Sequence, residues 1–215
     1  MADHLLTNGT WAVLVDTGGP VPAVRHWGPD PGPPPADARL SDRPLPPSTL
    51  DVDQALPVVA LTTGDPGRPG LAGCRPDGSA AHPRFRATSC TGDATSLRFE
   101  AVDDDAGLAL AGELRLGPTL AVDVSVTNTG STPYLLQRLA ATLPLPADAD
   151  EVLGFEGHWC AEMTPTRTPW TTGTVSVENR RGRTSHDHVP VLFAGRRGFG
   201  ELAGEVHGVH LAWSG

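Results

Sequence analysis

Apolar and polar residues alternate in three consecutive runs between Thr95 and Thr127, and this alternation restricts the chain to one class of fold. Leu97, Phe99 and Ala101 alternate with Arg98 and Glu100. After the turn residues Asp103-Asp104-Asp105-Ala106-Gly107, Leu108, Leu110, Leu114 and Leu116 alternate with Ala109, Ala111, Glu113 and Arg115, which leaves Gly112 as the place for a bulge. After Gly117-Pro118, Leu120, Val122, Val124 and Val126 alternate with Ala121, Asp123, Ser125 and Thr127. A strand sends successive side chains to opposite faces, so this pattern buries one face and wets the other. With turns at about ten-residue spacing it predicts an antiparallel meander. The three aspartates at 103–105 read as a solvated hairpin tip, because no calcium-loop spacing follows them.

Other segments fit the same class. Thr10 to Val15 and Val21 to Trp27, joined across Asp16-Thr17-Gly18-Gly19-Pro20, predict a hairpin. Further extended segments are expected at Leu56–Leu61, Tyr134–Leu143, Val175–Val177, Pro190–Ala194 and Gly204–Trp213. Between them, residues 29–47 carry eight prolines and form a loop, either a surface linker or an arm reaching a neighbouring domain or subunit. Residues 63–71 form a second loop punctuated by Gly and Pro. No amphipathic helical period occurs, and the expected fold class is all-β, with more strands than one small sandwich needs.

Composition excludes several partners. The chain has 215 residues and a formal net charge of -9. That balance argues against nucleic acid and anionic membranes, both of which favour basic surfaces. No stretch approaches the ~18 apolar residues of a membrane helix. The N-terminus lacks the basic and apolar regions of a signal peptide, so a cytoplasmic location is expected. Cys74, Cys90 and Cys160 are odd in number and widely spaced, which points to reduced thiols rather than a disulfide framework or a zinc site. No cofactor motif appears.

The densest polar stretch is Asn179-Arg180-Arg181-Gly182-Arg183-Thr184-Ser185-His186-Asp187-His188. On a strand His186 and His188 would share a face, but a metal site needs further ligands. Ser185 next to His186 is adjacency, not a nucleophile with its base. Glycoside hydrolysis ordinarily needs two carboxyl groups flanking the scissile bond, and no local motif places such a pair here. Trp27, Trp159, Trp170 and Trp213 each lie near Arg or His. Such rings either stack on sugars or pack in a core with the indole N–H satisfied.

Three blocks in the second half carry a resemblance: Phe155-Glu156-Gly157-His158-Trp159 with Arg167; Glu178 to Pro190 around the arginine stretch; and Gly204-Glu205-Val206-His207-Gly208-Val209-His210-Leu211-Ala212-Trp213-Ser214-Gly215. His26-Trp27-Gly28 and Arg68-Pro69-Gly70-Leu71-Ala72-Gly73 extend it into the first half. Together they resemble the N-terminal domain of glycoside hydrolase family 36 α-galactosidases. The resemblance implies a large antiparallel β-supersandwich of galactose-mutarotase-like type over residues 1–215, incomplete at its C-terminus. It implies a catalytic (β/α)8 barrel outside this chain, whose two aspartates carry out retaining hydrolysis of terminal α-linked galactose. No catalytic residue and no cofactor is therefore expected here, and the 215-residue chain alone should be inactive. The implied partners are α-galactosides through the full-length enzyme, the downstream barrel, and further copies in a homo-oligomer.

Trp27, Asp65 and Arg68 are the positions the resemblance sets nearest the substrate. Asp65 departs from the tryptophan that related sequences often carry there. Arg180, Arg181, Arg183, Ser185, His186, Asp187 and His188 are expected to act as an architectural joint, bonding to backbone, carboxylates and one another. Two other readings stand beside this one: a free-standing carbohydrate-binding β-sandwich, and a structural module whose exposed strand edges pair with a partner.

Overall fold

The computed structural model describes residues 3–32, 55–62, 68–146, 148–170, 173–178 and 187–212. Every regular element among them is a β-strand, and every pairing is antiparallel. The chain divides into two compact units, residues 1–144 and 145–215.

In the first unit, β1 (Asp3–Thr7), β2 (Trp11–Asp16), β3 (Ala23–Pro29) and β4 (Leu56–Pro57) form one sheet in sequence order. β6 (Arg86–Gly92), β7 (Ser96–Asp103), β8 (Leu108–Leu116) and β9 (Leu120–Asn128) form a second meander. β5 (Leu71–Cys74) pairs with β10 (Leu135–Leu139) in a two-stranded sheet. The alternation of the sequence is the alternation of burial. Leu97, Phe99 and Ala101 of β7 and Leu108, Leu110 and Leu114 of β8 join Leu6, Val13, Val15 and Val24 of the first sheet in one apolar cluster. At ~25 cal/mol per Å² of apolar surface, each fully buried Leu or Phe contributes about 2–3 kcal/mol before chain entropy is counted.

Three details of this unit differ from the sequence expectation. Gly112 is not a bulge: β7, β8 and β9 stay in register through Phe99, Gly112 and Val124. Its missing side chain makes room for the Phe99 ring, whose Cε1 lies 2.5 Å from where a Cβ would stand. Asp103 is not solvated tip but a buried cap, 9% exposed. Its carboxylate accepts the Ala106 N–H at 2.9 Å and the Arg84 N–H at 2.5 Å, tying the β7–β8 turn to the segment before β6. Asp104 and Asp105 are exposed, as a turn requires.

Arg75 ties a second pair of turns. Its guanidinium donates to the carbonyls of Ala106 and Thr132, to the Thr132 hydroxyl and to Asn128 Oδ1. Gly107, at φ +63°, and Gly130 leave space for that group, since a Cβ at either would come within 2.8 Å of Arg75 Nη2. The expected strand at Leu56–Leu61 is only β4. Val58 to Leu61 stay buried without a ladder, and Val58 N–H finds the Pro22 carbonyl at 2.9 Å.

In the second unit, β11 (Glu151–His158), β12 (Ala161–Pro169), β13 (Val191–Gly195) and β14 (Val206–His210) form one sheet in the order β12-β11-β13-β14. Residues 174–178 form no strand, so the extended segment expected at Val175–Val177 is absent. β13 and β14 match the expected runs. β12 carries Pro165 and Pro169, and it lies at the sheet edge, where a missing N–H costs no ladder bond.

Candidate functional site

Trp27 sits in β3 opposite Val13 and packs against the core of the first unit. Its indole N–H donates to the Pro144 carbonyl at 2.5 Å. The ring therefore serves as a satisfied, half-buried anchor. Arg68 is exposed at the turn before β5. Asp65 lies outside the described residues, as do Arg180, Arg181, Arg183, Ser185 and His186.

Asp187 and His188, the end of the polar stretch, dock on β11. Gly157 N–H donates to the Asp187 carbonyl at 3.2 Å, Val189 N–H donates to the Phe155 carbonyl at 3.2 Å, and His188 bridges to Glu156. These backbone bonds thread the stretch onto the sheet. The imidazole Nδ1 of His188 is buried without a hydrogen-bond partner among the described residues.

A polar joint of the second unit lies outside the arginine stretch. Arg167 of β12 donates to Glu151 Oε2 at 2.6 Å and to the Phe199 carbonyl at 2.8 Å, and its guanidinium lies 4.5 Å over the Phe199 ring. Glu151 is only 9% exposed, and its Oε2 also accepts the Gly198 N–H. A buried carboxylate is tolerated because a cation and an amide meet it. Arg167 and Glu151 are 16 residues apart in sequence, too distant for a local motif to show.

The first unit has its own charge device. Asp3 and Asp16 are direct cross-strand partners, an unfavourable pairing of like charges. The register of β2 and β3 slips between Leu14 and Val15, which makes Arg25 the bulged residue. Arg25 then reaches Asp16 at 2.5 Å and Asp3 at 3.8 Å. Burial pushes the Asp16 carboxyl up, but the Gly18 amide and the Arg25 guanidinium outweigh it and hold the group below its ordinary value. On the outer face of the meander, Glu113 receives Arg98 at 2.8 Å and Arg115 at 2.7 Å, and Arg115 also reaches Asp123 at 2.6 Å. Glu113 is held low mainly by its bond from Arg98.

These directions matter for chemistry. A glycosidase acid is a carboxyl raised towards neutrality so that it carries a proton to the leaving oxygen. Asp16, Asp30, Asp77, Asp93 and Glu113 are all shifted the other way. Among the described residues no three His, Cys, Asp or Glu side chains are arranged to hold a metal ion. Cys74, Cys90 and Cys160 are free thiols. No helix of the described residues is long and apolar enough to cross a membrane.

Comparison with known proteins identifies the family of this scaffold. The family model of the glycosyl hydrolase family 36 N-terminal domain matches residues 20–215. An alpha-galactosidase of Escherichia coli is 39% identical over 196 residues, 90% of this chain and 27% of that protein. The bifunctional alpha-galactosidase/sucrose kinase AgaSK of Mediterraneibacter gnavus is 29% identical over 57% of this chain. Its galactosidase domain superposes with a TM-score of 0.77 at 19% identity, over 98% of this chain and 34% of that one. The alpha-galactosidase AgaA of Geobacillus stearothermophilus, solved in complex with raffinose, superposes with a TM-score of 0.76 at 21% identity, over 96% of this chain and 33% of that one. The chain thus spans about a quarter of the E. coli relative's length and a third of these structures. With its antiparallel all-β fold shared across nearly its full length, this chain belongs to the glycosyl hydrolase family 36 N-terminal domain.

Proposed function

We propose that residues 1–215 act as the non-catalytic N-terminal domain of a retaining α-galactosidase, supporting a catalytic (β/α)8 barrel and homo-oligomer assembly. The observation that carries this reading is the match of the N-terminal family over residues 20–215, joined to an alpha-galactosidase 39% identical over 90% of the chain. The full-length enzyme would take terminal α-linked galactose from oligosaccharides in the cytoplasm, with no cofactor. In this reading the carboxylates described above serve architecture, and the proton donor and nucleophile lie on the barrel.

The arginine stretch fits the same role. Arg180, Arg181, Arg183, Ser185 and His186 would bond across strands and towards the barrel, continuing the docking of Asp187 and His188 on β11. Asp65 and Arg68 remain the positions proposed to lie nearest the substrate. Trp27, its indole N–H already bonded, would support that region by packing.

The test is hydrolysis of an aryl α-galactoside by the 215-residue chain and by the same chain joined to the rest of its reading frame. Turnover is expected only from the longer protein, and robust turnover by the 215-residue chain would overturn the reading. In the longer protein, Arg183→Ala should lower the melting temperature more than it lowers kcat. A variant of unchanged melting temperature and abolished turnover would place Arg183 in the chemistry instead.

A further inference from the structure

The first unit holds a cavity of about 350 Å³ that none of the roles above uses. It opens between the end of β2, the turn that follows, the start of β3 and the Arg84–Phe85 segment ahead of β6. Val21, Pro57, Leu61 and Phe85 supply apolar walls, and Asp16 and Arg84 supply the charged ones. The volume lies in the range of small-molecule sites, which pair apolar walls with a few fixed polar groups.

The Asp16 carboxylate and the Arg84 backbone are positioned by bonds already described. Asp16 accepts Arg25 on Oδ2 and the Gly18 N–H on Oδ1. A carboxylate offers about four lone-pair sites, so acceptor capacity remains. The Arg84 backbone is pinned at the rim by the Asp103 carboxylate. Its exposed guanidinium has no hydrogen bond or ion pair among the described residues, so its donors are open to a ligand.

The charge balance selects the ligand class. An anion would meet the ionised Asp16, and a cation would meet Arg84. A neutral polyhydroxylated ring satisfies both, donating hydroxyl protons to Asp16 and accepting from Arg84. Its C–H face would lie on the proline, leucine and phenylalanine walls, as sugar rings do on apolar surfaces. We infer that this cavity binds a neutral saccharide of pyranose size. Saccharide binding here requires no catalytic barrel, so it is testable on the 215-residue chain whether or not that chain supports hydrolysis in a longer protein.

Ligand-observed saturation-transfer NMR with methyl α-galactopyranoside, melibiose and galacturonate tests it, and the method tolerates self-association of the protein. Transfer to the two neutral sugars is expected, with a Kd on the order of 1 mM. Arg84→Ala should weaken it about tenfold, one bonded group's worth of affinity, at an unchanged melting temperature. Ala55→Phe, which fills the cavity from its rim, should abolish it. Galacturonate should bind more weakly than the neutral sugars. Absence of transfer at saturating sugar, equal transfer to wild type and Arg84→Ala, or tighter binding of galacturonate would each overturn the inference. If Ala55→Phe fails to fold, the Arg84→Ala comparison and the galacturonate comparison still decide it.

Discussion

Gly112 shows how much one absent side chain can settle. Phe99 fills the space a Cβ would take, with its Cζ 2.6 Å and the Asp123 carbonyl oxygen 2.8 Å from that point. Relief would require moving a fully buried ring or a strand backbone, so Gly112→Ala is expected to destabilise by about 1–3 kcal/mol, read from denaturant midpoints. A neutral result would mean that the Phe99 ring has an alternative seat. Asp16 leads to a pH prediction. Its carboxyl is held below the usual 3.8 in the folded chain, so the group binds protons less readily folded than unfolded. Its stabilisation is therefore complete above the unfolded value and is lost as pH falls through the lowered folded value. Asp16→Asn should be less stable than wild type at neutral pH by about 1 kcal/mol, the net worth of a hydrogen bond. The gap should close as the pH falls through the carboxylate range. Thermal melts of both proteins across that range check this, and a gap independent of pH would show that Asp16 acts by packing alone.

At the scale of elements, each unit is secured by an arginine that bridges segments distant in sequence. Arg75 bridges the β7–β8 turn and the segment after β9, and Arg167 bridges β12, Glu151 of β11 and the Phe199 turn. Arg167→Ala would leave Glu151 buried with only an amide partner. Because the Arg167 side chain is 39% exposed, solvent softens the loss, and a cost of about 1–3 kcal/mol is expected. Arg167→Lys should recover little of it, because a lysine cannot serve Glu151, the Phe199 carbonyl and the ring together. Full recovery by lysine would reduce the joint to simple charge pairing. The elements also divide by how legible they were. β7, β8 and β9 were visible because one face is buried and the other wet, which writes alternation into the sequence. β1, β5, β6, β11 and β12 were not. β5 is four residues long and pairs with a strand more than sixty residues away, and β12 carries prolines that argue against a strand unless its edge position is known.

Across the whole molecule the two units differ in how well each is buried. The first contains every residue of the apolar cluster. In the second, Leu153, Phe155, Leu192 and Phe193 are only half-buried, and Leu202, Val209 and Leu211 are exposed. Local stability follows buried apolar contact, so amides of β11 to β14 should exchange with deuterium well before those of β7 to β9. Equal protection would show the two units unfolding as one. The exposed apolar side chains also predict association of the 215-residue chain, and a monodisperse monomer in light scattering would count against that.

The sequence by itself determined the fold class, the meander and the family, because alternation and ordered motifs are local records of burial. Tertiary structure decided the rest. It alone turned the strand end at Asp103 into a buried cap, made Arg167 a polar joint of the second unit, and assembled a cavity from residues 16, 57 and 84. The physical reason is the same in each case. A charged group's role depends on what meets it after desolvation, and its partners lie tens of residues away in the chain.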